Sequence, residues 1–156
     1  MTKTLGVVFF SALLSACSSS TKISQAIDVH NQAQLKYGTI ELKSITPDAP
    51  EHFSQAVKSY LKLELRSRGI YTEEDGSTVT VNIIDYRMRS GFSRAMFGVL
   101  AGKDGVYSEV TVMDQNGKVI GKSNVSSFNV MAIGDMQDIA RMHAEEIAEF
   151  LVGKKG

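Results

Sequence analysis

The stretch Thr78-Val79-Thr80-Val81-Asn82-Ile83-Ile84-Asp85-Tyr86-Arg87-Met88-Arg89 alternates apolar and polar residues, then changes phase. On an extended chain Val79, Val81 and Ile83 share one face, whereas Ile84, Tyr86 and Met88 share the other. Such a switch means either a bulge near Ile83-Ile84 or a central strand covered on both faces. Downstream, Val106 to Asp114 sets Val106, Val110 and Val112 against Glu109 and Thr111, and a last strand runs from about Val119 to Val130. Asn116-Gly117 between them is a two-residue hairpin signal, because both central residues of a type I′ turn need positive φ. Upstream, Leu35 to Thr46 places Ile40 and Leu42 on one side and Thr39, Glu41 and Lys43 on the other, until Pro47-Asp48-Ala49-Pro50 ends the run.

Two segments follow the helical period instead. Glu51 to Arg68 carries Phe53, Val57, Tyr60, Leu61 and Leu65 at helical spacing, with Gly69 placed to cap its end. From Gly134-Asp135 to about Val152, Ile139, His143, Ile147, Phe150 and Leu151 form a second stripe, with Asp135 as N-cap. The predicted order is β-α-β-β-β-α. An α+β two-layer sandwich, a roughly four-stranded sheet with two helices on one face, would bury both stripes.

At 156 residues the chain suits one ordinary domain, and 43% apolar residues with two prolines describe a packed protein. Lys plus Arg and Asp plus Glu balance at 17 each. That balance argues against nucleic acid as a partner. Residues 5–14 are an apolar run behind Lys3, about half the roughly 20 residues needed to span a bilayer. Small Ser15 and Ala16 then precede Cys17, the only cysteine. This is the layout of a secretion signal, and no intramolecular disulfide can form.

Leu14-Ser15-Ala16-Cys17 resembles the lipobox of bacterial lipoproteins. The resemblance implies cleavage between Ala16 and Cys17, acylation of the Cys17 sulfur and a membrane anchor of two or three chains, enough for stable retention. The alternative is an ordinary cleaved signal that leaves a free thiol on Cys17. Ser18, where lipoproteins kept in the inner membrane often carry Asp, implies sorting to the outer membrane, facing the periplasm. Residues 1–16 are thus read as signal peptide, 17–34 as lipidated Cys and flexible tether, and 35–153 as a periplasmic α+β domain. Seventeen flexible residues, Ser18 to Gln34, would span roughly 20 to 25 Å on average.

The connection from Arg87 to Gly102 holds three arginines, two phenylalanines and three glycines, too long for an ordinary hairpin. It is either a flap folded over the core or a docking surface. In the second reading Arg87, Arg89 and Arg94 contact acidic groups while Phe92, Met96 and Phe97 insert into a partner protein or the lipid. The helix ending Leu65-Arg66-Ser67-Arg68-Gly69, the strand Val79-Thr80-Val81-Asn82-Ile83, the glycine-punctuated segment 94–105 and Val110-Thr111-Val112-Met113-Asp114-Gln115-Asn116-Gly117-Lys118-Val119 resemble small envelope lipoproteins of the domain of unknown function 4410 group. They are also broadly similar to YajG-type lipoproteins. The resemblance implies fold and compartment and carries over no catalytic residue.

No catalytic constellation emerges. Ser19-Ser20-Thr21-Lys22 and Ser59-Tyr60-Leu61-Lys62 match Ser-x-x-Lys without its companion motifs. Of the three histidines, His30 falls in the tether, His52 at a helix start and His143 on an apolar stripe beside Glu146. His143 reads as a capped, partly buried side chain rather than a metal ligand. Asp114-Gln115-Asn116-Gly117 lacks the later positions of a calcium loop. No metal or cofactor is expected, and the chain is read as no enzyme. The leading expectation is a noncatalytic outer-membrane lipoprotein whose periplasmic domain binds another envelope component, a protein and not nucleic acid, at the 87–102 loop or an exposed strand edge. The alternatives are a self-assembling subunit extended through a sheet edge such as residues 36–45, or a small-ligand binder or hydrolase.

Overall fold

The structure, a computed structural model, describes residues 17–28, 35–88, 103–129 and 135–153. Their elements are β1 (Cys17–Gln25), β2 (Tyr37–Ser44), α1 (Glu51–Ser67), β3 (Ser77–Arg87), β4 (Asp104–Met113), β5 (Val119–Asn129) and α2 (Met136–Leu151). The strands form one mixed sheet in the order β1-β5-β4-β3-β2. β2 and β3 run parallel and are joined through α1, whereas the other three pairings are antiparallel. The α+β class and the order β-α-β-β-β-α hold from β2 onward.

The sheet has five strands, not the four expected. The added strand is β1, which lies where a flexible tether was read from the sequence. Its register with β5 runs from Cys17 opposite Asn129 to Gln25 opposite Lys122. Ser19, Thr21 and Ile23 are half-buried and alternate with exposed Ser18, Ser20 and Lys22. The alternation is real but is written in serine and threonine, so it has almost no hydrophobic signal. Side chains hold the strand instead: Thr21 donates to Glu146 of α2, Ser20 Oγ meets Ser126 Oγ at 2.8 Å, and Ser123 Oγ donates to the Lys22 carbonyl at 3.2 Å.

The phase switch in β3 is a bulge. Ile83 faces Ser108 but Asp85 faces Tyr107, which leaves Ile84 as the extra residue. Val79, Val81 and Ile83 are fully buried under the helices, and the bulge then turns Tyr86 to the same side. There its ring packs on Phe53 of α1, centroids 4.6 Å apart. Phe53, Val57, Leu61 and Leu65 complete this half of the core.

Helix ends obey the sequence. Gly69, at φ 66, and Ile70 close α1 in a Schellman motif, their N–H groups donating to Arg66 and Leu65 carbonyls, each at 2.9 Å. At the start of α2, Asp135 accepts from the Gln137 and Asp138 N–H groups, and the Asp138 carboxylate accepts from the Asp135 N–H, a reciprocal capping box. The β4–β5 turn differs from the expected two-residue type. The Gly117 N–H donates to the Asp114 carbonyl at 3.0 Å, so Gln115 and Asn116 are the central pair and Gly117, at φ 78, follows them. Asp114 Oδ1 accepts from the Asn116 and Lys118 N–H groups, each at 2.9 Å, and this side-chain bracing favours the longer turn.

Candidate functional site

Antiparallel pairing gathers distant residues at one end of the sheet. Cys17 opens β1 opposite Asn129, the last residue of β5. Asn129 in turn faces Asp104, the first residue of β4, and Gly105 faces Arg87, the last of β3. The candidate lipidation residue and Arg87 of the candidate docking loop therefore share one edge of the domain. Asp104 and Asn129 are buried there, and burial together with the Asp104 charge raises the Tyr86 phenol above its ordinary pKa.

On the opposite sheet face Phe128 lies over Gly105, so close that a Cβ at 105 would collide with the ring. Lys103 Nζ stands 5.9 Å from the Phe128 centroid. Asp85, Arg87, Lys103, Gly105 and Phe128 line a notch of about 200 Å³. Lys103 and Phe128 were not singled out in the sequence. They are 25 positions apart and meet only through β4–β5 pairing; Asn116-Gly117 signals that hairpin but not the register that sets residue 128 opposite 105. Ala16, Arg89, Phe92, Arg94, Met96 and Phe97 lie outside the described residues, as do the alternatives of flap and docking surface.

His143 is fully buried rather than partly so. Its Nδ1 lies 3.0 Å from Ser127 Oγ of β5 and its Nε2 lies 2.8 Å from Ser108 Oγ of β4. Burial drives its pKa down to about 3, so the ring is neutral near pH 7. One nitrogen then donates and the other accepts, which satisfies both hydroxyls. A serine beside a histidine is the first requirement of a nucleophile and its base. Here the ring has no exposed surface for a substrate to reach, and its chemistry is that of a core fastener.

Elsewhere, a cavity of about 470 Å³ opens at the far end of the sheet, lined in part by Ile27, Asp28, Leu35, Asp114, Lys118 and Ile120. Among the described residues no group of three or more His, Cys, Asp or Glu is placed to hold a metal ion, and no helix is long and apolar enough to cross a membrane.

A two-layer α+β domain with a serine-rich first strand is thus the class defined by fold and site. Residues 25–132 match the family described as Domain of unknown function (DUF4410), and the chain belongs to it. No curated protein matches the chain significantly. Among solved structures, the fold is shared with a PelC dodecamer from Paraburkholderia phytofirmans, 11% identical over 90% of this chain and 99% of that one, TM-score 0.59. A single-substitution variant of the same PelC dodecamer is 12% identical over the same shares, also at TM-score 0.59. At such identity the likeness is one of fold. A minor lipoprotein from Acinetobacter baumannii is 14% identical over 76% of this chain and 91% of that one, at a TM-score of 0.35 too low to bear on the argument.

Proposed function

We propose that the chain is a lipid-anchored envelope protein, cleaved behind Ala16 and acylated at Cys17, whose α+β domain binds another envelope component without transforming it. The observation that carries this reading is the open sheet. Among the described residues neither β1 nor β2 has an outer strand, and β2 is bridged on that side only at Tyr37, by Tyr71, so most of both rows of outer backbone donors and acceptors remain available to a partner. A noncatalytic role is supported by where the large pKa shifts among the described residues fall. Tyr37 and His143 are both walled into the core, and burial accounts for both shifts. Ser18 supports the outer membrane, with the domain facing the periplasm.

Self-assembly is the second reading, and the description of both PelC structures as dodecamers favours it. Mass measurement of the lipid-free domain, with pull-down from membranes using the lipidated chain, separates the two. A monomer that captures one envelope protein at fixed stoichiometry is the expected outcome, and a closed oligomer moves the assignment to self-assembly. An unmodified Cys17 thiol in protein from the native host defeats the anchor.

A further inference from the structure

β1 begins at Cys17 itself, so nothing separates the proposed acylation point from the folded sheet. Each residue of extended chain spans at most about 3.6 Å. An acylated Cys17 therefore holds the end of the sheet within a residue or two of the bilayer, not at the end of a flexible leash. With neighbouring strands roughly 4.8 Å apart, Lys103 beside β4 lies about 10 Å across the sheet from Cys17 and Arg87 on β3 about 15 Å. Both are exposed, and both line the notch that Phe128 closes. The polar layer of a leaflet is roughly 5 to 8 Å deep, which brings these cations level with lipid phosphates.

We propose that the sheet end formed by Cys17, Arg87, Lys103 and Phe128 rests in the headgroup layer of the leaflet that holds the anchor, with Arg87 and Lys103 taking phospholipid phosphates. Resting on the lipid anchor proposed above, the inference adds an orientation and a second membrane contact. Guanidinium and ammonium donors suit phosphate oxygens, Arg in bidentate fashion and Lys as a point charge. The Phe128 ring gives the contact an apolar side at the depth where headgroup meets acyl chain. Strands then stand on the membrane, and the β4–β5 turn at Lys118 points away, about 30 Å off over the length of β4.

The test uses the full chain purified from bacterial membranes, with Cys17 acylation established by mass spectrometry. Fluorophores are placed singly at Asp85→Cys and Lys118→Cys, and the proteins are reconstituted in vesicles of phosphatidylethanolamine with minor phosphatidylglycerol and a headgroup-nitroxide lipid. Quenching several-fold stronger at 85 than at 118 is expected, falling toward the value at 118 when Arg87→Ser and Lys103→Ser are added. In acylated and vesicle-bound protein, equal or reversed quenching overturns the orientation, and indifference to those two substitutions overturns the phosphate contact; both results leave the anchor standing. Unacylated Cys17 overturns both.

Discussion

The two halves of the same layer are held together differently. Where β2 and β3 meet α1, the interior is oil: Ile40, Val79, Val81 and Ile83 face Phe53, Val57, Leu61 and Leu65, all buried. Where β4, β5 and β1 meet α2, Val106, Val110, Val125, Ile139 and Ile147 are buried too, but among them the sheet sets Ser108, Ser123, Ser127 and Asn129, and the helix answers with Ala140, Ala144, Ala148 and His143. Small helix residues permit close approach, and buried hydrogen bonds add to apolar area as a source of fit. The difference teaches that a strand can be fixed firmly with little hydrophobicity if its polar groups find partners. It also separates the two halves in how they should fail.

The largest effect is expected on the oily side. Leu61→Ala removes a fully buried side chain and leaves a cavity, at a cost of about 2 to 5 kcal/mol. Urea unfolding followed by circular dichroism measures it, and a loss below about 1 kcal/mol would show that the halves do not differ as described. The polar side should fail by acid. His143 has a folded pKa depressed to about 3 against about 6.5 when unfolded. The unfolded state therefore binds the extra proton first, so the contribution is whole above pH 6.5 and is lost as pH falls toward 3. The slope is ~1.4 kcal/mol per pH unit, or about 2 kcal/mol by pH 5. Unfolding curves of wild type and His143→Gln should converge in their pH dependence except for this slope, and a wild type equally stable at pH 5 and pH 7 refutes it.

What could be read without coordinates follows the same division. The stripe Phe53-Val57-Leu61-Leu65, the Gly69 closure, the Asp135 cap and the phase switch at Ile83-Ile84 were legible because apolar periodicity and capping are local. β1 was not, since Ser19, Thr21 and Ile23 carry its inward phase with one hydrophobe. The full burial of His143 was not legible either: its partners Ser108 and Ser127 sit on two other strands, and serine patterns do not announce burial. The grouping of Cys17, Arg87, Lys103 and Phe128 depends on three antiparallel registers at once. Register is set by turns and by whole-sheet packing, not by any four residues.

Between the halves run two fasteners. The Tyr37 hydroxyl on β2 donates to the Leu151 carbonyl at the end of α2, 2.8 Å away and buried, where desolvation keeps the phenol protonated well above its usual pKa. Tyr37→Phe should cost about 1 kcal/mol, because the ring still packs and one carbonyl loses its donor. Amide exchange in the last turn of α2 should rise while that of β3 stays unchanged. If β3 exchanges faster as well, the bond braces the whole layer rather than one helix end.

Arg68 is the weaker fastener. From the end of α1 its Nη2 reaches Glu149 Oε1 of α2 at 2.7 Å and its Nε reaches Glu64 Oε2 at 3.3 Å. The side chains keep about a quarter of their surface in water, so solvent screens the pair and only about 0.5 kcal/mol is expected for Arg68→Ala. A double-mutant cycle with Glu149→Gln reads the coupling directly, and about 1 M salt should abolish most of it because the screening length there is near 3 Å. Coupling that survives such salt, or rivals the cost of Leu61→Ala, would mean that charge joins the halves where apolar contact is assigned the work. Coupling that vanishes leaves α1 and α2 held by the buried faces they share, with Arg68 fixing only the relative placement of their ends.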